Sequence, residues 1–91
     1  MRGNVEILLA LRSSNEVMMA QKGLLRAGIR ISVIGMPRDI SHECGVAIIF
    51  SDVDLERVRT VIDETVYGKA EFFRHEEYRY EKIIDEAPLG A

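Results

Sequence analysis

The 91-residue sequence has one cysteine, two prolines, no tryptophan and no surplus of basic charge. A lone thiol cannot close an internal disulfide, and with only two histidines the chain lacks the ligand set of a closed structural zinc site. Apolar runs are short. Ile7–Leu11 stops at five residues, against the roughly 20 needed to span a bilayer, and it is too short for a signal-peptide core. The chain therefore reads as cytoplasmic, with no membrane partner. Acidic residues number 15 against 12 basic ones, and residues 76–91 hold five acids and two bases, which leaves ten of each in residues 1–75. Without a basic run or patch, the attraction that drives nucleic-acid binding is missing, so no nucleic acid is expected as a partner.

What is present suits one small folded domain: 47% apolar and 30% charged residues, in a chain too short for two cores. Val5, Ile7, Leu9 and Leu11 alternate along residues 4–11, and Leu8 and Ala10 make the other face apolar too, so this strand is expected inside a sheet. Ser13 and Glu16 have the capping-box spacing for a helix starting near Asn15. Its apolar face is Val17, Ala20, Leu24 and Ala27, flanked by Met18 and Leu25, with Met18 and Met19 as core and wing. Gly28 supplies the left-handed residue that ends it, with Ile29 packing back on Leu24. Ile29, Ile31 and Val33 then form a strand near a sheet edge, parallel to the first across a right-handed crossover. Val46–Phe50 reads as a buried strand antiparallel to the second. Ser51 and Asp54 repeat the capping spacing before the stripe Leu55, Val58, Ile62, Thr65 and Val66, closed by Gly68, and Ala70, Phe72 and Phe73 open a fourth strand reaching about His75.

The order βαββαβ is that of an α+β, ferredoxin-like two-layer sandwich, with a four-stranded sheet and two helices on one face. Residues 1–75 make up this domain. Residues 76–91 read as a charged tail, with a short helix across 76–86 carrying Tyr80, Ile83, Ile84 and Ala87 on one face, and then a frayed end.

Chemistry is concentrated in Pro37–Gly45, a loop holding the only thiol, Cys44, together with Arg38, Asp39, Ser41, His42 and Glu43. Arg38 or protonated His42 would stabilise a Cys44 thiolate, whereas Asp39 and Glu43 oppose it, and Gly45 leaves the sulfur approachable. The other reading of Cys44 is an inert, buried small hydrophobe preceding a core strand. His42 and Cys44 alone are too few for a metal site, so neither metal nor cofactor is expected. No glycine-rich phosphate loop and no Ser-His-Asp spacing is present.

The pattern P-R-x-I-S-x-x-C-G, at Pro37, Arg38, Ile40, Ser41, Cys44 and Gly45, resembles a small domain family of selenium/sulfur carrier-like proteins. The likeness extends over about residues 5–75. Departures are Gly35 where a proline is frequent, Gln21 where an acid is frequent, and His42-Glu43 where smaller residues are usual. The resemblance implies a shuttle more than a turnover enzyme. Cys44 would receive sulfur or selenium as a persulfide or perselenide from a desulfurase-type donor and pass it to an acceptor enzyme. Arg38 would steady the charge, Ser41 and the Gly45 amide would donate hydrogen bonds, and Pro37 would fix the loop, with His42 nearby. The alternative is a noncatalytic interaction or regulatory module with a structural Cys44, dimerising or binding a small ligand or protein. Its support is the polar-faced second strand and the aromatics Phe72, Phe73, Tyr78 and Tyr80.

Overall fold

The computed structural model describes residues 5–40, 45–65 and 70–83. Strand β1 (Glu6–Ala10) leads into helix α1 (Ser14–Arg26), then β2 (Ser32–Gly35) and β3 (Val46–Ser51). A 3-10 turn (Asp52–Asp54), helix α2 (Leu55–Thr65) and strands β4 (Glu71–Glu76) and β5 (Arg79–Lys82) follow. Among the described residues the sheet has five strands in the order β2-β3-β1-β4-β5, and every pairing is antiparallel. The first four strands and two helices are compatible with a ferredoxin-like sandwich. β5 is an addition at the β4 edge.

This strand corrects two expectations. The sheet has five strands and not four, and Arg79–Lys82 pairs with β4 where a helix across 76–86 was expected. Hairpin pairing places Tyr80 opposite His75 and Lys82 opposite Phe73. A short isolated helix has only its own weak bonds to hold it, whereas β5 gains an existing edge and extends it as Ile83 N–H donates to Phe72 O at 2.8 Å. Likewise β1 and β2 run in the same direction but are not neighbours, because β3 lies between them and pairs with both.

Local signals explain most element ends. The Ser13 hydroxyl accepts from Glu16 N–H at 3.2 Å, and the Glu16 carboxylate accepts from Arg12 N–H at 2.9 Å, so both sides of the first turn of α1 are closed. At the other end Gly28 takes φ +79. Gly28 N–H donates to Leu25 O and Ile29 N–H to Leu24 O, the paired bonds of a Schellman ending. Ile29 is thereby drawn into the core beside Leu24 and does not begin β2, which starts three residues later. Ser51 caps the 3-10 turn, accepting from Val53 N–H at 3.3 Å, so α2 begins at Leu55. Val66, expected in the α2 stripe, and Gly68, expected to close it, lie outside the described residues.

Antiparallel partners share a face, which sorts the interior into two layers. Ile7 and Leu9 of β1 and Ile48 and Phe50 of β3 face the helices and pack with Val17, Ala20, Leu24, Val58 and Ile62. Leu8, Ala10 and Ala47 face the other way and are equally buried. Residues Ile7–Leu11 are all fully buried, as expected for a strand covered on both sides. Met18 and Met19, expected as core and wing of the helix, are both exposed on α1.

Candidate functional site

Residues 36–40, after β2, lie over the helix-free face. The neck of the loop is tied where Met36 N–H donates to Gly45 O at 3.0 Å, one step beyond the Gly35–Val46 pair. Ile40 N–H then donates to Pro37 O at 3.1 Å, folding Pro37–Ile40 into a turn with Arg38 and Asp39 at its exposed corner. Ile40, only 6% exposed, closes over Leu8, Ala10 and Ala47, with Met36, Ile34 and Phe73 around it. The loop is therefore anchored in the core through Ile40. Its anchor is one β-branched side chain in an otherwise polar segment, whose removal should cost about 2 kcal/mol.

The described site residues divide clearly. Pro37 is half-buried and forms the turn, while Arg38 is exposed and has no ion-pair or hydrogen-bond partner among the described residues. Gly45 is exposed, and a Cβ built on it would meet nothing within 4 Å, so the chain next to the thiol position is uncrowded. Ser41, His42, Glu43 and Cys44 lie outside the described residues. Among the described residues no three His, Cys, Asp or Glu side chains gather as metal ligands.

Beside the loop sits a cluster that the sequence did not reveal. The Tyr80 and His75 rings stack with centroids 4.5 Å apart, and His75 Nδ1 lies 3.4 Å from Glu6 Oε1. Burial, then the Glu6 carboxylate, then that of Asp39 push the Tyr80 hydroxyl above the ordinary phenol value of 10.0. Asp39 belongs to the site loop, so β5 contributes to the surface over which that loop lies. The missing signal is a turn signature: the two-residue connection is Glu77-Tyr78 and not Asn-Gly, with Glu77 at φ 42. Of the aromatics expected at an interface, Phe72 and Phe73 are half-buried in opposite layers, and Phe72 meets Phe50 edge-on at 6.2 Å. Tyr78 alone stands free at the hairpin tip, 92% exposed. A shallow groove of about 280 Å³ lined by Glu6, Arg30, Ser32 and Ser51 opens at the start of β2, the opposite end of that strand from Gly45. The loop and the groove are separate features.

This is an α+β protein in which the segment carrying the candidate site residues is anchored through Ile40 on the open face of the sheet. Residues 6–84 match the profile of the family described as "Putative Se/S carrier protein-like", and the chain belongs to that family. No curated protein and no solved structure matches it. No helix among the described residues is long and apolar enough to cross a membrane.

Proposed function

We propose that the protein is a sulfur or selenium carrier in which Cys44 bears the chalcogen. The observation that carries this reading is the family match over residues 6–84, which includes the chain's only thiol. The anchored turn, the exposed Arg38 and the open Gly45 support it. Met36 and Ile40 tie the loop to the sheet on either side of Arg38, whose guanidinium has no partner among the described residues and would steady a thiolate or persulfide anion.

The transfer balances without an external oxidant. The Cys44 thiolate attacks the terminal sulfur of a donor protein's persulfide, the donor's S–S bond breaks, and the donor leaves as a thiolate. Cys44 then carries a persulfide. A nucleophile on the acceptor takes the terminal atom and returns Cys44 to the thiolate, so there is no net redox change in the carrier. The donor is of the desulfurase type and the acceptor is an enzyme, so Cys44 needs access to both. Incubation with a persulfide donor should add one sulfur to the wild-type chain by intact-mass measurement. Cys44→Ser should gain none while retaining its fold, and equal loading of the variant would dismiss the proposal.

A further inference from the structure

A helix packed on a sheet ordinarily turns polar residues to solvent, and α1 only partly does so. Val17, Ala20 and Leu24 are buried against the sheet, and Ala27 O accepts from Arg57 Nη2 at 2.8 Å, which sets α2 on the flank of α1 that ends at Ala27. At about 100° per residue, the solvent arc runs through Leu25, Met18, Lys22, Asn15, Arg26 and Met19, about 120° in all. Every one of them is exposed, with Met18 at 57%, Leu25 at 55% and Met19 at 43%. Half of the six large apolar side chains exposed among the described residues therefore lie on this one helix.

The charges on this arc have one sign. Lys22 and Arg26 have no ion-pair partner among the described residues. The only acid of the helix, Glu16, falls outside the arc, and its carboxylate is occupied at the cap, accepting from Arg12 N–H at 2.9 Å. Three apolar side chains are thus interleaved with two cations, on a chain whose net charge is -3.

We propose that this face of α1 docks an acidic protein partner, whose carboxylates sit over Lys22 and Arg26 around an apolar recess that takes Met18 and Leu25. Charge complementarity selects this occupant. A second copy in a two-fold joint would set the same cations against each other, because such a joint matches a patch with itself. A membrane-surface helix lays its whole apolar face into the lipid, and that of α1 is already buried on the sheet. Nucleic acid would need stacking aromatics, of which α1 has none. A long polyanion also meets the net negative charge of the chain, whereas an acidic patch within about 10 Å feels mainly the two cations. The flexible, unbranched methionines let the contact adapt to more than one such surface. Its few side chains fall well below the roughly 20 to 30 residues a side of a standard interface, so docking is transient. The proposal does not depend on the carrier reading.

Two synthetic helical peptides test this, each with a leucine face, flanked in one by glutamates and in the other by lysines. Titrated into the reduced full chain at low salt and followed by amide NMR, the acidic peptide should shift the signals around Met18, Lys22 and Leu25, and the lysine peptide should not. Lys22→Glu combined with Arg26→Glu should weaken binding of the acidic peptide about tenfold and give the lysine peptide a measurable affinity. Should that double variant lose its fold, Lys22→Glu alone, in mid-helix, decides in its place. Met18→Ser with Leu25→Ser should weaken binding several-fold while its salt dependence persists, and Arg79→Glu on β5 should change nothing. Equal binding of the two peptides, no binding of either, or shifts centred elsewhere overturns the proposal. So does tighter binding to phosphatidylglycerol vesicles, which would make this a lipid-binding face, or sedimentation of the chain alone as a dimer that Lys22→Glu disrupts.

Discussion

The two faces of the sheet are buried by different means. On one face two amphipathic helices contribute Val17, Ala20, Leu24, Val58 and Ile62, a cover that follows from helical periodicity. On the other, Leu8, Ala10 and Ala47 are equally dry, but their cover is a loop held by Ile40, with Tyr80 of the terminal hairpin beside it. The first face is redundant, with many side chains sharing the burial. The second relies on few contacts, which lets Pro37–Ile40 be positioned by the core while Arg38 and Asp39 still reach solvent. Local opening is drawn from such sparsely packed regions.

Truncation on each face should break this comparison if it is wrong. Leu24→Ala empties a fully buried site between helix and sheet and should cost about 3–4 kcal/mol in urea unfolding. Ile40→Ala should cost about 2 kcal/mol, because a loop can settle into part of the space. The sharper contrast is in reactivity. Ile40→Ala should change the alkylation rate of Cys44 several-fold well below the denaturation midpoint, and Leu24→Ala should not. Equal costs with no difference in thiol reactivity would mean that Ile40 does not position the loop.

The helix-covered face was largely legible in the sequence, and the loop-covered face was not. Period-two alternation in β1, the Ser13–Glu16 box and Gly28 all act within a few residues, so they locate β1 and α1 closely. The β1 strand, apolar on both sides, also required a second cover, without saying what supplied it. Ile40 looks like an isolated apolar residue in a polar loop until the fold sets it over Leu8 and Ala47, more than 30 positions away from the former in sequence. Tyr80 was hidden for a different reason. Tyr80, Ile83 and Ile84 also fit a helical face, and the hairpin's turn lacks the residues that mark one. At the site, motif spacing singled out Pro37, Arg38 and Gly45, and the structure adds how the loop is tied down around them.

The hairpin turn offers a smaller effect on the same face. Glu77 holds φ 42, a region that costs a side-chain-bearing residue free energy and glycine almost none. Glu77→Gly should stabilise the protein by about 0.5–1 kcal/mol, the relief of strain being partly offset by the greater freedom of glycine in the unfolded chain. Because Tyr80 follows three residues later, a firmer turn should also slow hydrogen exchange in β5 while leaving α1 unchanged. No gain in stability, with exchange unaltered, would show that the turn carries no strain.

The smallest effect is electrostatic. Burial and the Glu6 and Asp39 carboxylates raise the folded-state value of Tyr80 above its ordinary 10.0. Below 10.0 the phenol is neutral in both states, and its contribution is whole. As pH rises past that value the unfolded chain ionises first, so stability falls until the folded-state phenol also ionises. Tyr80→Phe removes this loss. Wild type and variant should therefore show parallel stabilities at neutral pH and diverge above pH 10.0, with the wild type declining more steeply. Combining Tyr80→Phe with Ile40→Ala ties the effect to the loop. Ile40→Ala alone frees Asp39 to move and uncovers part of the ring, so tyrosinate absorbance should appear at lower pH than in the wild type. An unchanged titration would mean that the Ile40 anchor does not hold Asp39 near the hairpin.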